Sequence, residues 1–471
     1  MEKPMRIQTR TYGTLAAAVA MWTLCAALPA QEISPELKQK IDETVQKVLK
    51  DSGAPSASVG IVKDGAIVYT TAFGKSRLDI SADAMPEMAY AVGSISKQFT
   101  AACILLLQEE GKLKLDDPVA KWFPELTRAK DITLRNLLTH TSGYSDYAPQ
   151  DYTIPEWTKP GDPLKLIHTW AGKPLDFEPG TKWQYSNTNF VLAGLIVEKA
   201  SGMKFADFRR QRILEPLHMQ HVLDLNTDQA RLQVAGYFRN ALGPLRKATL
   251  EAPGWYFADG DLAMPVEDLL TWDISVMNQS LLKPESYREL TTSFRLKDGA
   301  DTHYGLGISV GDRNGHHVVS HTGEVGGFVA SNSVFPDEKV AIAVLTNQEA
   351  SSAAGAIARG IAGAMLPPGP NAAPSPETQA KTILTGLQQG KIDRSLFTGN
   401  ANFYFNQEAL DDFSSSLQPL GEVKSVVKQD ESLRGGMTLR SFAVTFAGGK
   451  EVRLSTFTTT DGKLEQFLII P

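Results

Sequence analysis

Strand-like segments lie at both ends of the first 365 residues, while the middle of this region is helical and rich in loops. Near the start, residues 58–63 and 66–73 are predicted as two strands joined by an Asp-Gly pair, which is typical of a tight hairpin turn. Near the end, further strands are predicted at 304–310, 317–320, 328–335 and 340–345. We therefore expect one antiparallel sheet assembled from both ends of this region, with helices packed on it.

A proline-rich, uncharged stretch at 367–376 separates this region from the rest of the chain and is predicted as a linker. Beyond it, residues 377–471 show one helical pattern followed by several strand-like segments, but no motif with recognisable chemistry. The predicted fold class is therefore α+β. We expect a main domain at 31–366, formed by an antiparallel sheet and a helical subdomain, and a small α+β accessory domain at 377–471.

The N-terminus has the features of an export signal. Three basic residues precede an uncharged apolar run at 15–28, and the small residue Ala30 stands before Gln31. We expect residues 1–30 to be a cleavable signal peptide and the protein to be periplasmic or secreted; a retained membrane anchor is the alternative. After cleavage Cys103 is the one remaining cysteine, so no intramolecular disulfide can form. The net charge of −6 does not favour nucleic-acid binding.

The first chemical motif is a serine followed three residues later by a lysine, Ser94 and Lys97, at the predicted start of a helix. Residues three apart lie one turn apart on the same helix face, so a nucleophile and a base can meet there. The alternative is a serine helix cap with a surface lysine. Spacing alone does not decide, because the same pattern recurs at Ser201/Lys204, Ser280/Lys283 and Ser425/Lys428.

Two further motifs supply the other groups that acyl transfer needs. Tyr185 and Asn187 place a phenol and an amide two residues apart on a predicted loop, and a phenol beside an ammonium loses its proton more readily. His321-Thr322-Gly323 lies at a strand end, where Gly323 permits close approach of a ligand to the backbone. Tyr-x-Asn also occurs at 404–406, so the order and local context of the three motifs carry the prediction.

In that order the motifs resemble the three signatures of the penicillin-recognising serine hydrolases, a β-lactamase-related family. The Tyr-x-Asn form is similar to the branch of class C β-lactamases, D-alanyl-D-alanine carboxypeptidases, D-amino-acid peptidases and esterases. The resemblance covers residues 35–365 and implies a β-lactamase/transpeptidase-like fold. It implies Ser94 as the acyl-forming nucleophile, Lys97 and Tyr185 as coupled base and acid, and Asn187 as a substrate contact. It also implies an oxyanion hole formed by the backbone amides of Ser94 and Glu324.

The third motif departs from the family pattern at His321. The family usually has a lysine at this position, and its ammonium group contacts the carboxylate of the substrate. A histidine with an ordinary pKa is mostly neutral near pH 7, so it is a weaker cation than lysine. We expect His321, Thr322 and Gly323 to contact substrate, and the activity to be that of an esterase or peptidase rather than of an efficient β-lactamase. The expected substrate is a small molecule or a short peptide, such as one derived from the cell wall, and no cofactor is expected.

Four alternatives stay open at this point. The chain can be a class C-like β-lactamase or a penicillin-binding carboxypeptidase. It can also be a non-catalytic sensor that keeps the fold and borrows the pocket. A zinc hydrolase using His316, His317 and His321 lacks a convincing further ligand.

His140, in a loop, can be catalytic or can satisfy backbone groups. The oligomeric state is not predicted.

Overall fold

A computed structural model describes residues 1, 33–150, 152–369, 374–434, 437–459 and 462–470. The predicted signal peptide lies outside these residues except for Met1, as do residues 370–373 of the predicted linker, and both stay predictions. Within the described ranges, no helix combines the length and the apolar character that a membrane span requires.

The chain divides into two compact units. The first comprises the residues up to Gly311 together with His317–Leu366, and the second comprises Asp312–His316 together with the residues from Pro367 onward. The helices of the first unit are α1 (Pro35–Ser52), α2 (Ser96–Glu109), α3 (Leu134–Leu138), α4 (Pro163–Trp170), α5 (Asn187–Ser201), α6 (Phe205–Arg209), α7 (Val266–Asn278), α8 (Pro284–Thr291) and α9 (Ala353–Met365).

The strands up to residue 346 form one large sheet and small two- and three-stranded ones. They are β1 (Ser56–Lys63), β2 (Ala66–Arg77), β3 (Ala82–Asp83), β4 (Tyr90–Ala91), β5 (Leu223–Asp224), β6 (Tyr237–Phe238), β7 (Arg246–Lys247), β8 (Leu262–Met264), β9 (Ser309–Arg313), β10 (His316–Val325), β11 (Phe328–Phe335) and β12 (Val340–Thr346). The large sheet has the order β3-β2-β1-β12-β11-β10-β9.

The predicted assembly of one sheet from both ends of the main domain is confirmed. Strand β1, near the start of this domain, pairs antiparallel with β12, near its end, with Ala57 opposite Thr346. The tight turn between β1 and β2 has positive φ at both Asp64 and Gly65, as a two-residue hairpin turn of this kind requires. The strand predicted at 304–310 is wrong for residues 304–308, because β9 begins only at residue 309.

Helices cover both faces of the large sheet. Alternate residues of β12 point to opposite faces, so one set packs with α1 and α9 while the other packs with α2 and α7. Helix α2 is buried on all sides, from Ser96 to Leu107. A helix that is apolar all round belongs in a core, and its first turn is therefore held rigidly.

The second unit contains a four-stranded antiparallel sheet and three helices. Its elements are α10 (Pro376–Gln388), α11 (Gly399–Tyr404), α12 (Gln407–Leu417), β13 (Val423–Arg434), β14 (Met437–Phe446), β15 (Glu451–Thr458) and β16 (Leu464–Ile470), and the strands pair in chain order. Strand β13 was not predicted, because it is a charged edge strand with two register shifts and lacks a clean alternation. The predicted α+β fold class is confirmed for this part as well.

Candidate active site

Ser94 lies in a short 3₁₀ turn, Gly93–Ile95, that leads directly into α2. This turn packs backbone to backbone against the end of β10. A Cβ atom on Gly323 would lie 1.8 Å from the Val92 carbonyl oxygen and 2.9 Å from the Ser94 amide nitrogen. Gly323 therefore allows β10 to approach the backbone of the turn that carries Ser94.

Gly93 makes the reciprocal contact. Its φ is +51°, and a Cβ there would lie 2.7 Å from the amide nitrogen of Glu324. The two glycines thus bring the backbone amides of Ser94 and Glu324 onto facing segments. These are the amides predicted to form the oxyanion hole, and their catalytic role stays a prediction.

Lys97 extends from the first turn of α2 and is completely buried. Its Nζ makes three hydrogen bonds, to Ser94 Oγ at 2.9 Å, to Asn187 Oδ1 at 2.7 Å and to the backbone oxygen of Asp259 at 2.7 Å. An ammonium has three donors, so all of them are satisfied here. In the neutral amine, two donors hold Asn187 and Asp259, and the lone pair faces the Ser94 hydroxyl.

Asn187 begins α5, two residues after Tyr185. Its side-chain oxygen accepts from Lys97, and its Nδ2 donates to Asp146 Oδ2 at 3.3 Å and to the Ala148 carbonyl at 3.4 Å. Asn187 lines the cavity, but its polar atoms are engaged within the protein. The structure thus gives Asn187 a contact with the lysine that sequence reasoning did not predict, and its contact with substrate stays a prediction.

Tyr185 lies over the lysine. Lys97 Nζ is 5.0 Å from the centroid of the Tyr185 ring, close enough for a cation–π contact. The Tyr185 ring also packs against His140, and the centroids of the two rings are 4.2 Å apart. Among the described residues, no hydrogen bond holds the Tyr185 hydroxyl, which leaves it available to an incoming group at the cavity.

His140 has a structural role in this arrangement. It is buried, has a φ of +56°, and its Nδ1 accepts a hydrogen bond from the Ser186 amide at 3.1 Å. The proton of the neutral ring is therefore on Nε2. Burial, together with the nearby Lys97 charge, moves the pKa of His140 well below its usual value. Of the two predicted alternatives, the structure favours the histidine that satisfies the backbone.

His321 is also buried and neutral. Its Nδ1 donates to the Thr322 carbonyl, so Nε2 accepts from the Tyr304 hydroxyl at 2.8 Å. Burial and then the Lys97 charge lower the pKa of His321 to about 4. With both ring nitrogens occupied and no charge near pH 7, His321 offers no cation to a substrate carboxylate.

The neutral His321 predicts a pH dependence of stability. Because its folded pKa of about 4 lies below the ordinary value of 6.5, the unfolded chain binds the extra proton between these pH values. The contribution of His321 to stability is therefore full above about pH 6.5 and falls as the pH drops towards 4, by on the order of 3 kcal/mol. Thermal unfolding should show a smaller loss between pH 7 and pH 4.5 in His321→Gln than in wild type. Equal losses of stability in the two proteins would contradict the assignment of His321 as a buried, neutral histidine.

A cavity of about 920 Å³ opens above Ser94. Thr322 is exposed towards it, and Ser94, Tyr185, Asn187, His321, Gly323 and Glu324 all contribute to its wall. Its carboxylates are Asp146, Glu251, Asp259, Glu324 and Glu349, and its aromatic side chains are Tyr147, Tyr152, Trp157, Trp183, Tyr185 and Tyr256. Among the described lining residues, Arg359 is the one Lys or Arg. The cavity is therefore acidic and aromatic.

Two buried carboxyl groups of this cavity were missed in the sequence. Burial raises the pKa of Glu251 to about 7 and that of Asp259 to about 6. Asp259 Oδ2 lies 2.9 Å from the Tyr147 hydroxyl, while its Oδ1 has no hydrogen-bond partner in the described part of the chain. Neither residue belongs to a short motif, so only their three-dimensional neighbours identify them.

The other serine–lysine pairs lie outside this arrangement. Lys204 is 3.7 Å from Glu198, and Lys428 is 3.1 Å from Glu431, so these lysines face acids. Ser280 is exposed after α7. The three histidines proposed for zinc do not cluster, since His317 is exposed and His321 is buried. In the described ranges, no group of three or more His, Cys, Asp or Glu side chains is placed to hold a metal ion.

A helix-covered antiparallel sheet with this serine, lysine and tyrosine at its edge defines the class of β-lactamase-related serine hydrolases. The family model described as "Beta-lactamase" matches residues 41–364, and the chain belongs to this family. The predicted family and fold class are thereby confirmed. The roles of the individual site residues stay predictions.

Known proteins agree with this assignment. Protein flp of Staphylococcus aureus (strain MRSA252) is 27% identical over 334 residues, which are 67% of this chain and 64% of that protein. The match thus spans less than two thirds of this relative's length. The octameric penicillin-binding protein homologue from Pyrococcus abyssi superposes with a TM-score of 0.64 and 22% identity, covering 92% of this chain and all of that one. The D-stereospecific amidohydrolase from Streptomyces sp. superposes with a TM-score of 0.59 and 27% identity, over 69% and 98% of the chains.

Proposed function

We propose that the protein is a serine hydrolase that works through an acyl-enzyme on an ester or on an amide or peptide containing a D-amino acid. The observation that carries the proposal is the placement of Lys97 Nζ, 2.9 Å from Ser94 Oγ and anchored by two further acceptors. A base held at this distance can take the serine proton as the nucleophile attacks.

The reaction has two halves. Ser94 Oγ bonds to the carbonyl carbon while its proton passes to Lys97, and the amides of Ser94 and Glu324 stabilise the oxyanion. The carbon–leaving-group bond then breaks, and the departing alkoxide or amine takes up that proton, directly or through the free Tyr185 hydroxyl. In the second half water attacks the acyl carbon and gives a proton to the same base. The bond between the acyl carbon and Ser94 Oγ then breaks, Ser94 Oγ takes up the proton from Lys97, and the carboxylic acid leaves.

The charge of the cavity supports the choice of substrate. With His321 neutral, the wall has five acidic side chains against one basic side chain, Arg359, and burial keeps Glu251 and Asp259 partly protonated near pH 7. A carboxylate-bearing substrate therefore finds no cation at His321 and meets net repulsion from the other acidic groups. β-Lactams and peptides ending in D-alanine carry such a carboxylate. Neutral esters and amides avoid it, and an amine-bearing amide gains attraction. The Streptomyces amidohydrolase, described as D-stereospecific, supports including D-amino-acid amides.

A substrate panel tests this proposal. Purified protein is given p-nitrophenyl esters, D- and L-amino-acid amides, D-Ala-D-Ala peptides and nitrocefin, and kcat/KM is measured for each. We expect an ester or a D-amino-acid amide to be the best substrate, and nitrocefin to be at least roughly 100-fold poorer.

The other outcomes identify the alternatives. Rapid nitrocefin turnover would replace the proposal with a class C-like β-lactamase, and preference for D-Ala-D-Ala peptides would indicate a carboxypeptidase. If a fluorophosphonate probe labels Ser94 but no member of the panel is turned over, a non-catalytic sensor explains the data better.

A further inference from the structure

Asp146, in a neighbouring loop, accepts hydrogen bonds from the first residue of α5. Its Oδ1 accepts from the Asn187 backbone amide at 2.9 Å, and its Oδ2 accepts from the Asn187 side-chain amide at 3.3 Å. The same loop is tied to the same helix turn by Thr188, whose hydroxyl donates to the Ser145 carbonyl at 2.8 Å. A carboxylate at a helix N-terminus is also favoured by the helix dipole. The loop and the helix start therefore form one fixed element.

The carboxylate decides which way the Asn187 amide points. A carboxamide has one accepting and one donating end, and the two ends are close in shape. An ionised carboxylate only accepts, so the Nδ2 end must face Asp146. The oxygen end is then left for Lys97, which donates to it at 2.7 Å.

The reversed orientation of the Asn187 amide would disturb the position of Lys97, the proposed base. With Nδ2 turned towards Lys97, two donors would face each other, and the lysine would lose one of the two anchors that hold it beside Ser94. Asp259 would still offer its backbone oxygen, but a single anchor leaves the long lysine side chain free to rotate. Reactions of this kind are sensitive to displacements of about 1 Å.

We propose that Asp146 is a positioning residue for acylation: by fixing the orientation of the Asn187 amide, it places Lys97 Nζ beside Ser94 Oγ. This inference rests on the proposed function and assigns a role to a residue outside the three motifs. It also gives Asn187 the role of a link between carboxylate and base.

The test exchanges the two side chains. Asp146→Asn presents a donor to the Asn187 amide, and Asn187→Asp sets two carboxylates against each other. In the double variant the order of donors and acceptors is restored along the line from residue 146 to Lys97, because Asn at 146 accepts from the backbone amide and donates to Asp at 187, which accepts from Lys97. The weaker contact of residue 187 with the Ala148 carbonyl, at 3.4 Å in the wild type, is lost in both variants that carry Asp at 187. The measured quantity is the rate constant for labelling Ser94 with a fluorophosphonate probe, with thermal unfolding recorded for each variant.

We expect each single variant to be labelled roughly 10- to 100-fold more slowly than wild type, and the double variant to recover to within about 10-fold. Thr188→Val is the matched control, since it removes the neighbouring loop contact without touching Asn187. It should lower the unfolding temperature and leave labelling within about 3-fold of wild type.

Several results would overturn the proposal. They are a wild-type labelling rate in Asp146→Asn, a double variant no faster than the slower single one, and an equal slowing in Thr188→Val. If Asp146→Asn does not fold, the double variant carries the comparison, and failure of both to fold counts against the proposal. A wild-type protein that the probe does not label at Ser94 would instead refute the proposed function.

Discussion

Replacing Ser94 with alanine is expected to lower turnover of the best substrate by about 10⁴- to 10⁶-fold, with little change in thermal stability. The side chain is partly exposed at the cavity, and within the described ranges its hydroxyl has one hydrogen bond, accepted from Lys97. Removing it leaves no oxygen that can attack the carbonyl carbon. The same substitution should abolish covalent labelling by fluorophosphonate, which intact-protein mass spectrometry measures directly.

The chain supplies its own control for this experiment. Ser280 has the same spacing to a lysine, Lys283, but is exposed and far in sequence from the other motifs. Ser280→Ala should keep wild-type turnover and wild-type labelling. Residual activity near the wild-type level in Ser94→Ala would refute the proposed nucleophile, whatever the control shows.

The sheet could be predicted because its signals are local. Two of its hairpins are marked by a two-residue turn, Asp64-Gly65 or Asn314-Gly315, between strand-like segments. The strand predicted from residue 304 failed because Gly305 and Gly307 interrupt it, and the Gly307 amide bonds to the Leu138 carbonyl instead of to a strand. Local patterns thus predict elements well, but they do not show where a distant backbone takes a hydrogen bond.

The same distinction applies to the site. Ser94 and Lys97 could be predicted as a pair because they lie on one helix turn, and the structure brings them into contact. Asp146 lies 41 residues from Asn187, and Tyr304 lies 17 from His321, so no spacing rule links either pair. The neutral state of His321 was expected from its ordinary pKa. Burial strengthens this preference for the neutral form, because it lowers the pKa of His321 to about 4.

Replacing Gly323 with alanine is the substitution expected to damage the fold of the site most. The added methyl group would lie 1.8 Å from the Val92 carbonyl oxygen and 2.8 Å from its carbon. These are backbone atoms of the turn before Ser94, so they cannot rotate away as a side chain does, and β10 must separate from the turn. We expect the free energy of unfolding to fall by about 3 kcal/mol or more.

The separation also has a catalytic consequence that distinguishes Gly323→Ala from ordinary destabilisation. Moving β10 carries the Glu324 amide away from the Ser94 amide, and loss of one oxyanion donor lowers kcat by roughly 10²- to 10³-fold. Gly363→Ala is the matched control, because this exposed glycine in α9 has no heavy atom within 4 Å of an added Cβ. There alanine should stabilise the helix by about 0.5–1 kcal/mol without affecting kcat. Wild-type kcat in folded Gly323→Ala would show that the two amides do not act together, so the oxyanion hole would have to be formed elsewhere.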